Sequence, residues 1–518
     1  MAWFRGGERR LADAIAELIV TNPFALEWTR REDHILGRAT PLYRGAYSWV
    51  PGQALWELTP ALSGELAQVD QQSEQLIHAV RERIRAGAAP ASGDTERYQR
   101  LALYSLYGHH ADALDAAIIS ALRHPNEPFP SLASTWKAFR ANFLAWFDLP
   151  SVELSWRDQV EHLFACFYIL RRAMLLTYNR IVGGSPTAAR LRVAIWQSVF
   201  TYDLAAWAQG LFARMHDIPT LITGPSGTGK EAVAQIIGGS QYIPFVPRKG
   251  EFEADFRDSF RPVNLAALPG DLIESELFGH VKGAFTFAVA DREGRLRGTG
   301  TYESIFLDEI GELSGSLQVK LLRVLQNRTF QRVGSNRDER FPGKFLAATN
   351  RDLSVEVRAG RFREDFYYRL CADRIQTPSL AEQLAEAPDD LPVLIEYAAQ
   401  RIVGEAHAPR LADELSVWVR QNLGAAYPWP GNFRELEQCI RSFLLRRTYE
   451  PLACNPEPAQ ADPIVPLVRA ILARSRTFDN IRRSVFQQVY QSCGSYQQAA
   501  ELLDIDWRTL KAMLTPRS

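Results

Sequence analysis

Cysteine is scarce in this chain of 518 residues. There are five (Cys166, Cys371, Cys439, Cys454 and Cys493), odd in number, scattered, and never spaced as C-x-x-C. That excludes a disulfide framework and a cysteine-rich zinc site, and fits free thiols in a reducing compartment. Long apolar runs are missing too: no stretch approaches the roughly 18 residues that a membrane-spanning helix needs. The N-terminal segment has no apolar signal core, and the run after it is broken by Asp13 and Glu17. A cytoplasmic protein with no membrane partner is therefore expected. Nor is either charge in excess: Lys plus Arg number 59 and Asp plus Glu 60, a net of −1. A globally basic nucleic-acid coat is excluded, and any DNA contact must be local.

What remains is ordinary globular composition, 46% hydrophobic and 23% charged, in a length that predicts about three to four domains. Residues 1–190 read as a helical domain. Apolar residues recur at helical spacing over Leu11–Val20, Tyr98–Tyr107, Ala111–Leu122, Trp136–Trp146 and Val160–Val182. Breaks fall at Gly87–Gly93 and at the three prolines of His124–Pro130. The region's Trp and Tyr fit either an aromatic core or an aromatic-lined ligand pocket, and the spacing does not choose. Further on, short apolar strands alternate with Gly turns and helices, the pattern of an α/β sheet, assigned to residues 191–375. A helical stretch follows at 376–447. Five prolines between Tyr449 and Pro466 mark a linker at 448–466, and a small helical unit at 467–518 closes the chain.

The first chemical signal is Gly224-Pro225-Ser226-Gly227-Thr228-Gly229-Lys230-Glu231, preceded by a strand and followed by a helix. It fits G-x-x-x-x-G-K. The glycines let backbone N–H groups turn toward phosphate oxygens, the helix adds its positive end, and Lys230 brings a point charge. Glu231 stands where Ser or Thr usually supplies a Mg²⁺ ligand. A second signal is the apolar strand Ser304–Leu307 ending in Asp308-Glu309. In a nucleotide-hydrolysing sheet the first carboxylate supports Mg²⁺ and the second polarises the attacking water. A third strand ends in Thr349 and Asn350, polar groups able to sense a γ-phosphate or simply to make a turn. Arg363 and Arg369 lie on a helix face. They suit a surface ion-pair face or arginine fingers for a neighbouring subunit.

This assembly resembles the AAA+ ATPase of bacterial sigma-54-dependent transcriptional activators. The resemblance rests on Gly224–Glu231, Glu274–His280, Lys282–Thr286, Phe306–Glu312, Ala348–Arg351, Phe362–Asp365 and Trp429–Leu436, over roughly residues 190–447. It implies an ATP- and Mg²⁺-dependent ring, usually a hexamer, with residues 376–447 as its helical lid. Lys230 would bind phosphate, Asp308 serve Mg²⁺, Glu309 activate water, and Asn264 hold Glu309 before hydrolysis. Thr349 and Asn350 would be the first sensor, Arg434 the second, and Arg363 and Arg369 would act in trans. Glu231 is normal in this family. The Pro-Gly turn before Arg434 also suits a helix capped at Asn432. The loop that engages sigma-54 would be Gly283-Ala284-Phe285-Thr286-Phe287-Ala288, in which Phe287 replaces the family's second glycine. The joint Pro378–Leu384 lacks the family's two arginines, and residues 238–261 form a longer segment than usual. The N-terminal region would regulate the ring. It does not resemble a phosphoacceptor receiver, so control by phosphorylation is not expected.

Residues 467–518 carry eight basic and four acidic residues in an otherwise slightly acidic chain. Gly494–Leu514 reads as helix, turn, helix, with Trp507, Arg508, Thr509 and Lys511 opening the second helix, where a recognition helix meets the major groove. The unit resembles the Fis-type DNA-binding domain of the same family. The whole implies an activator that binds enhancer-like DNA and remodels sigma-54 RNA polymerase. Two other readings stay open: a DNA-binding AAA+ regulator that no longer contacts sigma-54, and an AAA+ remodelling ATPase with another protein target.

Overall fold

The computed structural model describes residues 2–36, 49–53, 60–149, 152, 154–286, 288–424, 426–452, 482–483, 485–487, 489–490 and 494–514. Two compact units emerge, Met1–Tyr449 and Glu450–Ser518. No helix among the described residues is long and apolar enough to cross a membrane.

The larger unit is built on a parallel sheet of five strands: β1 (Thr220–Thr223), β2 (Phe260–Asn264), β3 (Ser304–Asp308), β4 (Lys344–Thr349) and β5 (Asp373–Gln376). Their order is β5-β1-β4-β3-β2. Every position of β4 is buried and so are the first four of β3, as strands covered on both faces must be. Alternate residues feed two cores. Leu221, Ile305, Leu307, Phe345 and Ala347 face α10 (Gly270–Phe278), α11 (Gly315–Asn327), α12 (Leu353–Arg358) and α13 (Glu364–Leu370). Ile222, Phe306, Leu346, Ala348 and Ile375 face the other way. There α9 (Lys230–Gly238) is followed by a lid of α14 (Leu380–Glu386), α15 (Asp390–Val403), α16 (Ala408–Asn422) and α17 (Asn432–Arg446).

That second core does not stop at the ATPase-like domain. It runs without interruption into the N-terminal helices α1 (Gly6–Val20), α2 (Leu26–Leu36), α3 (Pro60–Arg85), α4 (Asp94–Arg123), α5 (Ala133–Phe147), α6 (Val160–Arg180), α7 (Pro186–Phe200) and α8 (Leu204–Ala208). The two helices expected at Tyr98–Tyr107 and Ala111–Leu122 are one, α4. Gly108, His109 and His110 separate them, and a single helix glycine costs only about 1 kcal/mol against alanine, which packing overrides. Helices α2 and α3 had no counterpart among the expected spans. Yet Val69, Ile77, Val80 and Ile84 of α3 are buried at helical spacing. Helix α7 starts on a Ser185 cap that accepts from the Ala188 N–H at 3.1 Å, and it crosses residue 190 without a break.

The long segment at 238–261 has a clear role. It holds a two-stranded hairpin, Phe245–Val246 against Glu251–Phe252, which docks the N-terminal region. Phe245 meets Trp136 and Phe164 at ring-centre distances of 5.1 and 4.7 Å. Phe252 stacks on Tyr168 at 4.0 Å. Fully burying such a side chain is worth about 1.5–3 kcal/mol. The altered joint at Pro378–Leu384 docks too. Ser379 and Glu382 form a capping box for α14. Glu386, at the end of that helix, accepts from the Thr187 N–H at 2.7 Å, and Asp390 accepts from the Gly184 and Ser185 N–H groups at 2.7 and 3.1 Å. On α15, Glu396 accepts from the Gly52 N–H at 2.7 Å. The N-terminal region thus grips both the α/β core and the lid.

In the second unit, α18 (Tyr496–Leu502) and α19 (Trp507–Leu514) pack through Ala499, Ala500 and Leu510, with Leu503, Ile505 and Leu514 partly buried beside them. The linker expected at 448–466 lies outside the described residues from 453 on.

A candidate nucleotide site on the sheet edge

The parallel register sets the site. Thr223 at the end of β1 is level with Thr349 of β4, and Asn264 of β2 is level with Asp308 of β3. Loops leaving the carboxyl ends of a parallel sheet form a crevice there, and ligands bind in it.

Gly224, Gly227 and Gly229 all adopt positive φ, and α9 begins at Lys230. A glycine is required at 227 for a second reason. A Cβ there would lie 2.4 Å from the Gly431 carbonyl oxygen, because the lid sits directly on the loop. Three contacts fasten it. The Phe433 N–H donates to the Gly227 carbonyl at 3.0 Å, Asn432 Nδ2 to the Ser226 carbonyl at 2.9 Å, and Arg434 Nη1 to Ser226 Oγ at 3.2 Å. Asn432 Oδ1 also accepts from the Leu380 N–H at 2.8 Å. It therefore does not cap its own helix as the sequence suggested; with φ at +53° its amide bridges loop and lid.

Lys230 Nζ donates to the Gly224 and Pro225 carbonyls, both at 3.0 Å. Burial lowers the pKa of its ammonium, while Glu309 and Asp308 pull it back up and Arg434 pushes it further down. Pro225 also accepts from Thr228 Oγ1 at 2.8 Å, and that hydroxyl meets Thr377 Oγ1 at 2.7 Å. Thr377, at the hinge between β5 and the lid, is a site residue the sequence reading missed; nothing local to it carries a phosphate-loop signal. Glu231 is exposed and accepts from Gln235 on its own helix at 3.1 Å.

Glu309 stands in the left-handed region at φ +57°. That conformation is uncommon for a residue with a side chain and clusters at functional sites. Asp308 Oδ1 accepts from the Glu309 N–H at 3.0 Å, and its other oxygen has no hydrogen-bond partner among the described residues. The Asn350 N–H lies 3.5 Å from Glu309 Oε2. Thr349 is fully buried and accepts from the Arg351 N–H at 3.1 Å. Asn264 does not touch Glu309: its oxygen accepts from the Ala266 N–H at 3.0 Å, an Asx turn that starts the next segment. A donor set of turned glycine amides, an ammonium and a carboxylate with a spare oxygen suits a polyphosphate with a hydrated divalent cation.

Arg363 and Arg369 are held elsewhere. Arg363 forms a fork with Asp365 at 3.0 and 2.7 Å, and Arg369 donates twice to the Leu325 carbonyl at 3.1 and 3.0 Å. In the expected sigma-contact loop, the Gly283 N–H donates to the Ala288 carbonyl at 2.8 Å, closing a tight loop around Ala284, Phe285 and Thr286. Phe285 is 40% exposed, its ring edge-on to His280 at 4.9 Å. Phe287 lies outside the described residues.

Residues 205–376 match the sigma-54 interaction domain family. The chain carries the AAA+ domain of the sigma-54-dependent activators. This sigma-54 interaction domain belongs to the AAA+ ATPase class, and its β5-β1-β4-β3-β2 sheet and phosphate loop are the parts just described. Similar proteins include the Nif-specific regulatory protein of Azotobacter vinelandii, 36% identical over 345 residues, and the transcriptional regulatory protein ZraR of Escherichia coli K12, 38% identical over 307. These matches cover 64% and 57% of this chain, and 58% and 62% of the relatives. The chain thus spans about three fifths of the length of the curated relatives it matches.

Proposed function

We propose that this protein is a transcription activator that hydrolyses ATP with Mg²⁺ and uses the turnover to remodel sigma-54 RNA polymerase at promoters. One observation carries the catalytic half. Asp308, Glu309, Thr349 and the lid's Arg434 all border the same phosphate loop, on elements that come from three separate stretches of sequence. Lys230 would leave its carbonyl partners for the β- and γ-phosphates. Asp308 would hold a water of the Mg²⁺ shell, and Glu309 would orient the attacking water. When bound, Mg²⁺ neutralises charge developing on the transferring phosphoryl group. Arg434 would report nucleotide to the lid through Ser226. Arg363 and Arg369, both away from this crevice within one chain, would complete a neighbour's site in a ring.

The sigma-54 half rests on the family match and on the exposed Phe285–Thr286 tip. DNA binding is supported by α19, where Trp507, Arg508, Thr509 and Lys511 are all exposed along one short helix. The test of the site is direct. Lys230→Ala and Glu309→Ala should each lower ATP turnover by at least a hundredfold, with Glu309→Ala still binding nucleotide. Turnover near the unsubstituted rate in both variants would remove these roles.

A further inference from the structure

A cavity of about 810 Å³ lies in the N-terminal region, walled by α1, α2, α3, α4, α6, α7 and α8. That size suits a drug-sized organic molecule. Most of the wall is apolar and aromatic, including Trp28, Trp156, Trp196, Trp207 and Phe167. Trp28 and Trp207 are 92% and 99% buried, and among the described residues neither Nε1–H has a hydrogen-bond partner. A buried donor without an acceptor is costly and rare in a finished core. Both side chains contribute to the cavity wall.

The charge of the wall selects the ligand's sign. Of its carboxylates, Asp115 is paired with the buried Arg171, at 2.8 Å through Nε, and Glu96 with Arg100 at 2.5 Å. Asp70 and Asp112 have no cation within ion-pair distance among the described residues. Asp70 is seated against the backbone of α4 at Gly108, where a Cβ would lie 2.6 Å from its carboxyl. Tyr104 lies beside it, one turn back along α4. The carboxylate is therefore placed, not adrift, in a wall whose arginines are already spent.

Helix α6 links this cavity to the nucleotide site. Leu163, Cys166, Phe167, Leu170 and Met174 line the cavity. From the same helix, Tyr168 stacks on the hairpin, Arg172 donates to the Gln241 carbonyl and Arg180 to the Gln235 side chain, both at the far end of the phosphate-loop helix. Helix α8, which contributes Trp207 and Ala208, leads into β1 and the loop.

We propose that this cavity is an effector site for a small organic cation, an amine carried on an aromatic body. Its ammonium pairs with Asp70, its body lies among the indoles, where cation–π attraction adds to burial, and its occupancy shifts ATP turnover through α6. The regulatory part rests on the ATP-hydrolysis reading above; the binding part does not.

The test uses the full chain in calorimetric titrations with two naphthyl ethers of opposite charge, the amine propranolol and the carboxylate naproxen. The expected result is binding of the amine, at least tenfold weaker binding by Asp70→Asn, and none of the carboxylate. Asn is a mild change at a half-buried carboxyl. Ala116→Trp, which fills the cavity from α4, is the second variant and should abolish binding. No binding of the amine, equal binding by Asp70→Asn, retained binding by Ala116→Trp, or preference for the carboxylate would each overturn the assignment. ATP turnover is then measured with saturating amine. A change of twofold or more in the unsubstituted protein, absent in Asp70→Asn, supports the coupling. Binding without any change in a measurable turnover overturns it. Absence of turnover with and without the amine counts against the ATPase reading and leaves the binding result standing.

Discussion

Asp70 illustrates how a single residue reports on the state of its surroundings. Desolvation raises its carboxyl to a pKa of about 6, against the neighbouring Tyr104 hydroxyl and the nearby charge of Arg171; Asp112 and Glu74 push the same way as burial. The folded state therefore holds a proton between about pH 4 and 6 that the unfolded chain has released. The cost of this charge is full above pH 6 and is relieved as the pH falls. Asp70→Asn should be more stable than the unsubstituted protein by roughly 2–3 kcal/mol at pH 8, with the gap closing below pH 4. Thermal midpoints across that range measure it, and a gap independent of pH would show that Asp70 is not a desolvated charge. None of this was legible in the sequence. Asp70 sits in a helix the periodicity did not mark, and Gly108, against which it is seated, carries no signal of a partner in the sequence. Lys230, Asp308 and Glu309 were legible because their chemistry is local to a short motif. Asn432 was legible as a position and misread as a cap, because its two partners come from segments about 50 and 200 residues away.

Among the elements, the parallel strands announced themselves as short apolar runs ending in polar residues, and the sheet places those ends side by side. The N-terminal helices were harder. Helix α6 was legible as the span Val160–Val182, whereas α2 and α3 were not marked. The hairpin at 245–252 was visible only as unexplained length, since its meaning lies in what docks on it. Helix α13 carries a prediction of its own. Arg363 at its start is half-exposed, and among the described residues its side chain is tied to Asp365 alone, so its removal should cost the fold little. Arg369 also holds the end of α11, which makes it the less clean probe. If Arg363 serves a neighbour, Arg363→Ala and Lys230→Ala proteins should each be inactive alone and regain part of the turnover when mixed. Turnover rates of the mixtures, compared with the sum of the separate proteins, measure this; no gain on mixing would count against action in trans.

At the level of the whole molecule, the sequence suggested a regulatory domain joined to a motor, and one compact unit stands in its place. The N-terminal region shares its hydrophobic core with α9 and holds the lid through Glu386, Asp390 and Glu396. No linker separates this region from α9 and the lid; it is packed directly against both. Cutting the chain at residue 190 would bisect α7 and expose Phe245 and Phe252, so whole-chain experiments are the informative ones. The central claim is that ATP turnover by this chain opens sigma-54 promoters. The most direct measurement is open-complex formation by sigma-54 RNA polymerase on promoter DNA, with purified protein and ATP, alongside Glu309→Ala. The account predicts ATP-dependent opening by the unsubstituted protein and none by the variant. ATP hydrolysis that proceeds at full rate with no promoter opening, or opening that persists in Glu309→Ala, would contradict it.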